Sequence, residues 1–519
     1  TAATGGTAAT GGTAATGGTA ATGGTAATGG TAATGGTAAT GGATATGGAH
    51  STGGTAATGG TAATGGAHST GGTAATGGTA ATGGAPATGG TAATGGTAAT
   101  GGTAATGGAP ATGGTAATGG APATGGTPGY TAPGYINIAP PMGAPLDPNG
   151  STTLNPAPPT GYKWYPITGA QCRDGSQTGI YVKFTTSTNL VIYLEGGGAC
   201  TNSGFCGYNP KNVGQKLTGD GETVFGSIGG AVNGRQQPGV YTAGALEGMF
   251  DATNANNPFK DWNVVYVPYC TGDVHFGTIA SGSVPGGVTG QHFVGYLNMQ
   301  KFIARVVPTF APTVNHVILS GSSSGGFGAA LNFSMVQDSF TNAKVDVLDD
   351  SGPPFSDQYL PVCLQKKWRT SWGFDAAFPP DCTECKQADG GGIVHLADFL
   401  LKKHPKSSIA MISSTQDEVI RLFYGPGNSN CSGYDNATPI SVTLGGGGMS
   451  TATYTAGLNA LRTSYDSTGR FATYYMAGGN ISAHQHIFRD RFYDVAAGSK
   501  TIAAFVKDFA AGTVTTVGP

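Results

Sequence analysis

Three consecutive serines, Ser322, Ser323 and Ser324, are bracketed by Gly321 on one side and Gly325-Gly326 on the other. A serine hydroxyl at its free pKa is a poor nucleophile and needs a base and an orienting acid. Small residues on both sides of the central serine permit a sharp turn and a close helix crossing. The apolar run His316-Val-Ile-Leu319 leads into the motif and a helix-like segment, Ala329–Phe340, follows it. Gly-x-Ser-x-Gly between strand and helix is the pattern of a nucleophile elbow, with Ser323 at its apex. In such an arrangement the acid and then the histidine come later in the chain. Asp417 lies just beyond the apolar run 408–412, and His484 and His486 just beyond the run 471–476. A carboxylate there, Asp417 or Glu418, would hold the imidazole tautomer, and either histidine could be the base. Glu195-Gly196-Gly197-Gly198 follows the apolar run 190–194. Its amides, with that of Ser324, are the expected oxyanion donors. Asp349 and Asp350 end the strand that directly follows the nucleophile helix and read as structural or as lining the site.

The elements that must position these residues are visible as short apolar runs, at 190–194, 262–267, 316–319, 344–348, 408–412 and 471–476, alternating with helix-like segments such as 329–340 and 394–403. The alternation predicts an α/β fold, a largely parallel sheet covered on both faces. Chemistry in such sheets sits at the carboxyl ends of the strands, which is where the candidate residues fall.

The chain has 519 residues and a formal net charge of -2. That balance gives no case for a nucleic-acid partner or an acidic membrane surface, and no apolar run is long enough to span a bilayer. All eight cysteines lie between Cys172 and Cys431. An even number in one globular part predicts four disulfides in an oxidising compartment. Cys382-x-x-Cys385 would serve zinc or redox chemistry only with a second pair or a surrounding βαβ pattern, and neither is present. With Thr1 in place of Met, the sequence reads as the mature form of an exported protein whose signal peptide has been removed.

Residues 1–126 are another population: 21 hexads of Thr-Ala-Ala-Thr-Gly-Gly with no charged side chain. The hexads starting at 43, 49, 67, 85, 109 and 121 replace the first Thr with Ala. A period of three with prolines inside hexads (Pro86, Pro110, Pro122) suits a polyproline or polyglycine II-like helix, roughly 390 Å long if fully extended. Its amides need partners, so the expectation is a stalk that bundles, within or between chains, into a rod or filament. A stacked β-solenoid and a flexible or glycosylated spacer are the alternatives. His50 and His68 read as tolerated variation. Residues 127–160, rich in Pro, Gly and Tyr, read as a linker, and 161–519 as the hydrolase domain.

Six stretches, in order, sharpen the reading: Leu194-Glu-Gly-Gly-Gly-Ala-Cys200, Val267-Pro-Tyr-Cys-Thr-Gly-Asp-Val-His275, Gly321 to Gly326, Asp349-Asp-Ser-Gly-Pro353, Gln416-Asp-Glu418 and Ala483-His484. Together they resemble the pectin acetylesterase / Notum family of carboxylesterases over about 161–510. The resemblance implies an α/β-hydrolase fold, no cofactor or metal, and ester hydrolysis through an acyl-enzyme. It places the nucleophile on Ser323, the acid on Asp417 and the oxyanion donors on Gly196, Gly197 and Ser324. The family's register of Phe492, Tyr493, Asp494 and Val495 from the histidine selects His484 over His486. Ser324 departs from the alanine usual after the nucleophile. His275, after Cys270-Thr-Gly-Asp273, is read either as lining the pocket or touching substrate, or as structural. By analogy the substrate is an acetylated extracellular polysaccharide. Two other outcomes stay open: a passive hydrolase-like domain in a structural or adhesive filament, and an esterase acting on lipid or polyester.

Overall fold

The computed structural model describes residues 142–150, 161–207, 209–213, 246–428, 430–437, 448–478 and 484–519. In the repeat the description reaches only backbone strands. Where strands are described, one pairs in parallel with the strand three hexads on, as Thr7↔Thr25, within three sheets. This is the pairing of a stacked solenoid, which satisfies amides within one chain where a polyproline helix needs partners. The repeat's side chains, its self-association and most of the 127–160 linker lie outside the described residues.

The remainder is built on one nine-stranded sheet. Its strands are β1 (Lys163–Gln171), β2 (Gln177–Lys183), β3 (Asn189–Leu194), β4 (Asn263–Val267), β5 (His316–Ser322), β6 (Lys344–Asp350), β7 (Ile409–Ser414), β8 (Phe471–Met476) and β9 (Thr516–Val517). They lie in the order β1-β2-β4-β3-β5-β6-β7-β8-β9. β1 and β2 pair antiparallel, as do β2 and β4, and every later pair is parallel. The expected α/β architecture is therefore present, with an antiparallel edge that the apolar runs did not announce.

Side chains alternate between faces with period two, so each central strand feeds two cores. Leu190, Ile192 and Leu194 enter one, with Val317, Leu319, Ile409 and Met411. Val191, Ile318, Ala410 and Ile412 enter the other. Each such fully buried aliphatic contributes about 1.5–3 kcal/mol. The first face is covered by helices α1 (Gly295–Phe310), α2 (Ser324–Ser339), α3 (Val362–Trp372), α4 (His395–Lys403) and α6 (Thr451–Ser464). The second is covered by α7 (Ile502–Ala510), through Ile502, Phe505, Val506 and Phe509. Between these sets, α5 (Glu418–Tyr424) begins where β7 ends.

The parallel register brings the strand ends level. Leu194 pairs with Gly321, Gly321 with Asp349, Asp350 with Ile412, and Ser414 with Met476. The loops leaving β3, β5, β6, β7 and β8 thus emerge side by side.

Four disulfides join Cys172–Cys270, Cys200–Cys206, Cys363–Cys431 and Cys382–Cys385. The Cys-x-x-Cys pair is thereby a crosslink rather than half of a zinc site. No helix among the described residues is long and apolar enough to cross a membrane.

Candidate active site

β5 ends at Ser322 and α2 starts at Ser324, leaving Ser323 alone at the turn with φ 58° and ψ -123°. A left-handed φ is costly for a residue with a side chain and is held here by its surroundings. The Ser323 amide donates to the Asp350 carbonyl (2.7 Å), and its own carbonyl accepts from Phe327 N (3.1 Å). The flanking glycines are required by contact. A Cβ on Gly321 would stand 2.1 Å from the Gly325 carbonyl oxygen, and one on Gly325 would stand 2.0 Å from that of Leu194. The helix therefore starts almost in contact with the strand, with the Ser324 amide in its first turn, where N–H groups have no intrahelical partner.

Asp417 is the N-cap of α5. One carboxylate oxygen accepts from the amides of Val419 and Ile420, both at 3.0 Å. The other lies 2.7 Å from His484 Nδ1. Capping and imidazole orientation are thus done by one fully buried side chain. An imidazole that donates a hydrogen bond from Nδ1–H to a carboxylate presents Nε2 as a base. Arg491 Nη2 donates to the His484 carbonyl (3.1 Å) and helps to fix the loop.

The second imidazole behaves differently. His486 is buried, and neither ring nitrogen has a partner among the described residues. Burial lowers its pKa to about 4, against the opposing pull of Asp350, so it is neutral at pH 7 and has no carboxylate to orient it. This geometry singles out His484 as the oriented imidazole.

Asp350, read as structural or as lining the site, joins the serine turn to the histidine loop. Its Oδ2 accepts from Ser322 Oγ (2.7 Å), His486 N (2.6 Å) and Ile487 N (3.1 Å), and its Oδ1 from Ser351 Oγ (3.0 Å). Ser351 Oγ in turn accepts from Gln485 N (3.2 Å). One carboxylate therefore fixes the spacing between the two loops that carry Ser323 and His484. Asp349 is as deeply buried, and burial followed by the neighbouring Asp350 raises its pKa well above the usual range. Its Oδ1 accepts from Gly352 N, and it packs against Gly326.

Gly196 closes the site from the β3 side. A Cβ there would lie 2.4 Å from Gln485 Nε2 and from the Ser322 carbonyl oxygen, and 3.1 Å from Ser323 Cβ. Gly197 lies against the Tyr269 ring, and its carbonyl accepts from Asn209 Nδ2 (2.8 Å). Gly196 and the Ser324 amide therefore flank the turn, where an oxyanion would form. The Ser324 hydroxyl is buried and makes no well-formed hydrogen bond among the described residues, but it lies near enough to the Tyr269 hydroxyl to lower that group's pKa against the larger effect of burial.

His275 is enclosed, 3% exposed, and does not line the cavity at the serine. Its Nε2 lies 2.8 Å from the Glu195 carbonyl oxygen. Burial raises Glu195 to about 8 and lowers His275 to about 4. Glu195 and Tyr269 stood in the quoted stretches without a role, because the burial and pairing of a polar side chain are set by the fold around it.

An apolar cavity of about 40 Å³ opens at Ser323 and Ser324. Trp368 and Trp372 of α3, Phe374, Phe327 of α2, and Ile420 and Phe423 of α5 are among the residues of its wall. These positions are scattered over a hundred residues, and no local pattern links them.

Residues 163–372 match the family model described as Pectinacetylesterase. That span holds the glycine loop and Ser323, while Asp417 and His484 lie beyond it. A palmitoleoyl-protein carboxylesterase notum2 of Xenopus laevis is 32% identical over 168 residues, 32% of this chain and 30% of the relative. The palmitoleoyl-protein carboxylesterase NOTUM of Drosophila melanogaster is 27% identical over 230 residues, 42% of this chain and 32% of the relative. The chain thus spans about a third of the length of the curated relatives it matches. Among solved structures, the Wnt deacylase Notum from Drosophila aligns at 18% identity with a TM-score of 0.48, over 68% of this chain and 93% of that one.

Proposed function

We propose that residues 161–519 form a serine carboxylesterase. The observations that carry this reading are the left-handed serine at a strand–helix turn and an imidazole held by a capping carboxylate, on loops that Asp350 ties together. In the mechanism, His484 takes the Ser323 proton as the hydroxyl attacks the ester carbonyl. Asp417 holds the imidazolium, and the amides of Gly196, Gly197 and Ser324 hold the oxyanion. The alcohol leaves with a proton from His484. Water, activated by the same imidazole, then releases the acid.

The cavity bears on the acyl group. Its wall excludes charged acids, and a volume of about 40 Å³ accommodates only a few water-sized groups. This supports short-acyl esters, and with them the deacetylation of an extracellular polysaccharide. The aromatic lining, together with relatives named as palmitoleoyl-protein carboxylesterases, supports a second reading in which the walls part for a longer chain. Four disulfides and no free cysteine among the described residues favour an oxidising, extracellular location. The repeat would then display the enzyme on a stalk or self-associating filament.

Turnover of p-nitrophenyl esters of increasing acyl length tests both readings. The short-acyl reading expects the highest kcat/KM at about two to four carbons. Ser323→Ala is expected to lower the rate by about 10⁴-fold or more. An unchanged rate in that variant removes the site assignment. An inactive wild type favours the passive structural role.

A further inference from the structure

The loop 269–275 is fastened to the glycine loop by contacts that the mechanism above does not use. Tyr269 N donates to Glu195 Oε2 (2.9 Å), Cys200 N to the Gly272 carbonyl (2.8 Å), and the ring of His275 reaches the Glu195 carbonyl at 2.8 Å. The last contact is made at a conformational cost. Val274 and His275 both have left-handed backbones, φ 50° and 59°, which is uncommon for any residue with a side chain and a genuine outlier for the β-branched valine. Such outliers persist only when their surroundings hold them, and they gather at functional sites. Several bonds do the holding here. Val274 N donates to Tyr269 Oη (2.9 Å), the Tyr269 and His275 rings lie 4.7 Å apart, and Asn332 Nδ2 of α2 donates to the His275 carbonyl (2.9 Å).

Glu195 has left the ladder that its neighbours obey. Its amide still donates to Val267 O of β4. Tyr269 N, which would next bond the Glu195 carbonyl, goes to the Glu195 side chain instead. The carbonyl is left to His275. A trans peptide points its carbonyl and the following amide in opposite directions. With the carbonyl held on the β4 side, the Gly196 amide faces β5, the strand that ends at Ser323. Gly196 is already in contact range of Ser323.

We infer that His275 is a positioning residue for catalysis: by donating from Nε2 to the Glu195 carbonyl it fixes the Glu195–Gly196 peptide so that the Gly196 amide is aimed at the oxyanion. The inference rests on the esterase reading and adds to it the device that orients one donor. A neutral imidazole is suited to this role, because a carbonyl partner needs only one proton on Nε2 and none on Nδ1.

The test compares His275→Phe, His275→Leu and His275→Gln in the full chain, each checked for folding by its melting temperature. p-Nitrophenyl acetate and its thionoester analogue are the substrates. Sulfur accepts hydrogen bonds poorly, so the oxo/thiono rate ratio reports on oxyanion donors. The apolar variants are expected to lose about 10- to 100-fold in kcat with KM unchanged, and their oxo/thiono ratio should fall in proportion. Gln, which keeps an amide donor at similar reach, should recover most of the loss. The inference is overturned if the folded apolar variants keep wild-type kcat, or lose oxo and thiono activity equally, or if Gln is no better than Leu. A wild-type chain that neither hydrolyses the acetate nor is labelled at Ser323 by a fluorophosphonate defeats the esterase reading itself, and this inference with it.

Discussion

The two sides of Ser323 are built by opposite rules. Toward β6, β7 and β8, two carboxylates are closely paired: Asp350 accepts four hydrogen bonds and Asp417 three. Toward α2, α3 and α5, the wall is aromatic and aliphatic. The polar side fixes atoms to fractions of an ångström, as proton transfer requires. The apolar side offers no directional contact and selects by size and hydrophobicity alone, which discriminates weakly. The first side should therefore be intolerant of isosteric change, and the second tolerant of it with a shift in preference.

The largest effect that would break this contrast is expected at Asp417. Asp417→Asn keeps a capping oxygen for α5 but can no longer fix the tautomer, so kcat should fall by about 10⁴-fold with little change in melting temperature. A small loss would mean that the pair is structural. Next comes Asp350→Asn, which removes one acceptor from a carboxylate serving the serine and histidine loops together. Misplacement of the two is expected to cost about 100-fold in kcat and about 2–3 kcal/mol in urea unfolding. On the apolar side, Trp368→Leu enlarges the cavity without breaking a hydrogen bond to that indole, which has none among the described residues. The octanoate-to-acetate ratio of kcat/KM should rise by about tenfold, while acetate turnover stays near wild type.

The smallest effect concerns His486. Its folded pKa is lowered to about 4 by burial, whereas an unfolded histidine takes up its proton near pH 6.5. Its contribution to stability is therefore complete above about pH 6.5 and is lost as pH falls toward 4. Against His486→Gln, the wild type should lose about 1 kcal/mol of relative stability over the first pH unit below 6.5. Unfolding midpoints measured across that range check it; parallel pH curves for the two proteins would show that His486 is not buried neutral.

Much of the polar side was legible in the sequence, because strand ends announce themselves. Ser323, Asp417 and His484 each follow an apolar run that proved to be a strand, with boundaries within three residues. The two histidines could be separated on paper only by resemblance; in the structure Asp417 separates them. Asp350 was visible as a strand end, but its hydrogen bonds to residues 486 and 487 span 136 positions or more and leave no local mark. β1 and β2 were not foreseen. In β1 the sequence Lys-Trp-Tyr-Pro-Ile-Thr-Gly-Ala-Gln carries Pro and Gly, and the strand lies at the sheet edge where both are tolerated. The apolar wall was illegible altogether, since Leu360, Ile393 and Phe423 meet only through tertiary packing.

The central claim is that the Ser323 hydroxyl and the His484 imidazole act as a pair, and covalent labelling tests it most directly. A fluorophosphonate is added to wild type, His484→Ala and His486→Ala, and the adduct is located by peptide mass spectrometry. One adduct is expected, on Ser323, in the wild type and in His486→Ala, and none in folded His484→Ala. Labelling that survives loss of His484, or that disappears with His486 instead, contradicts it.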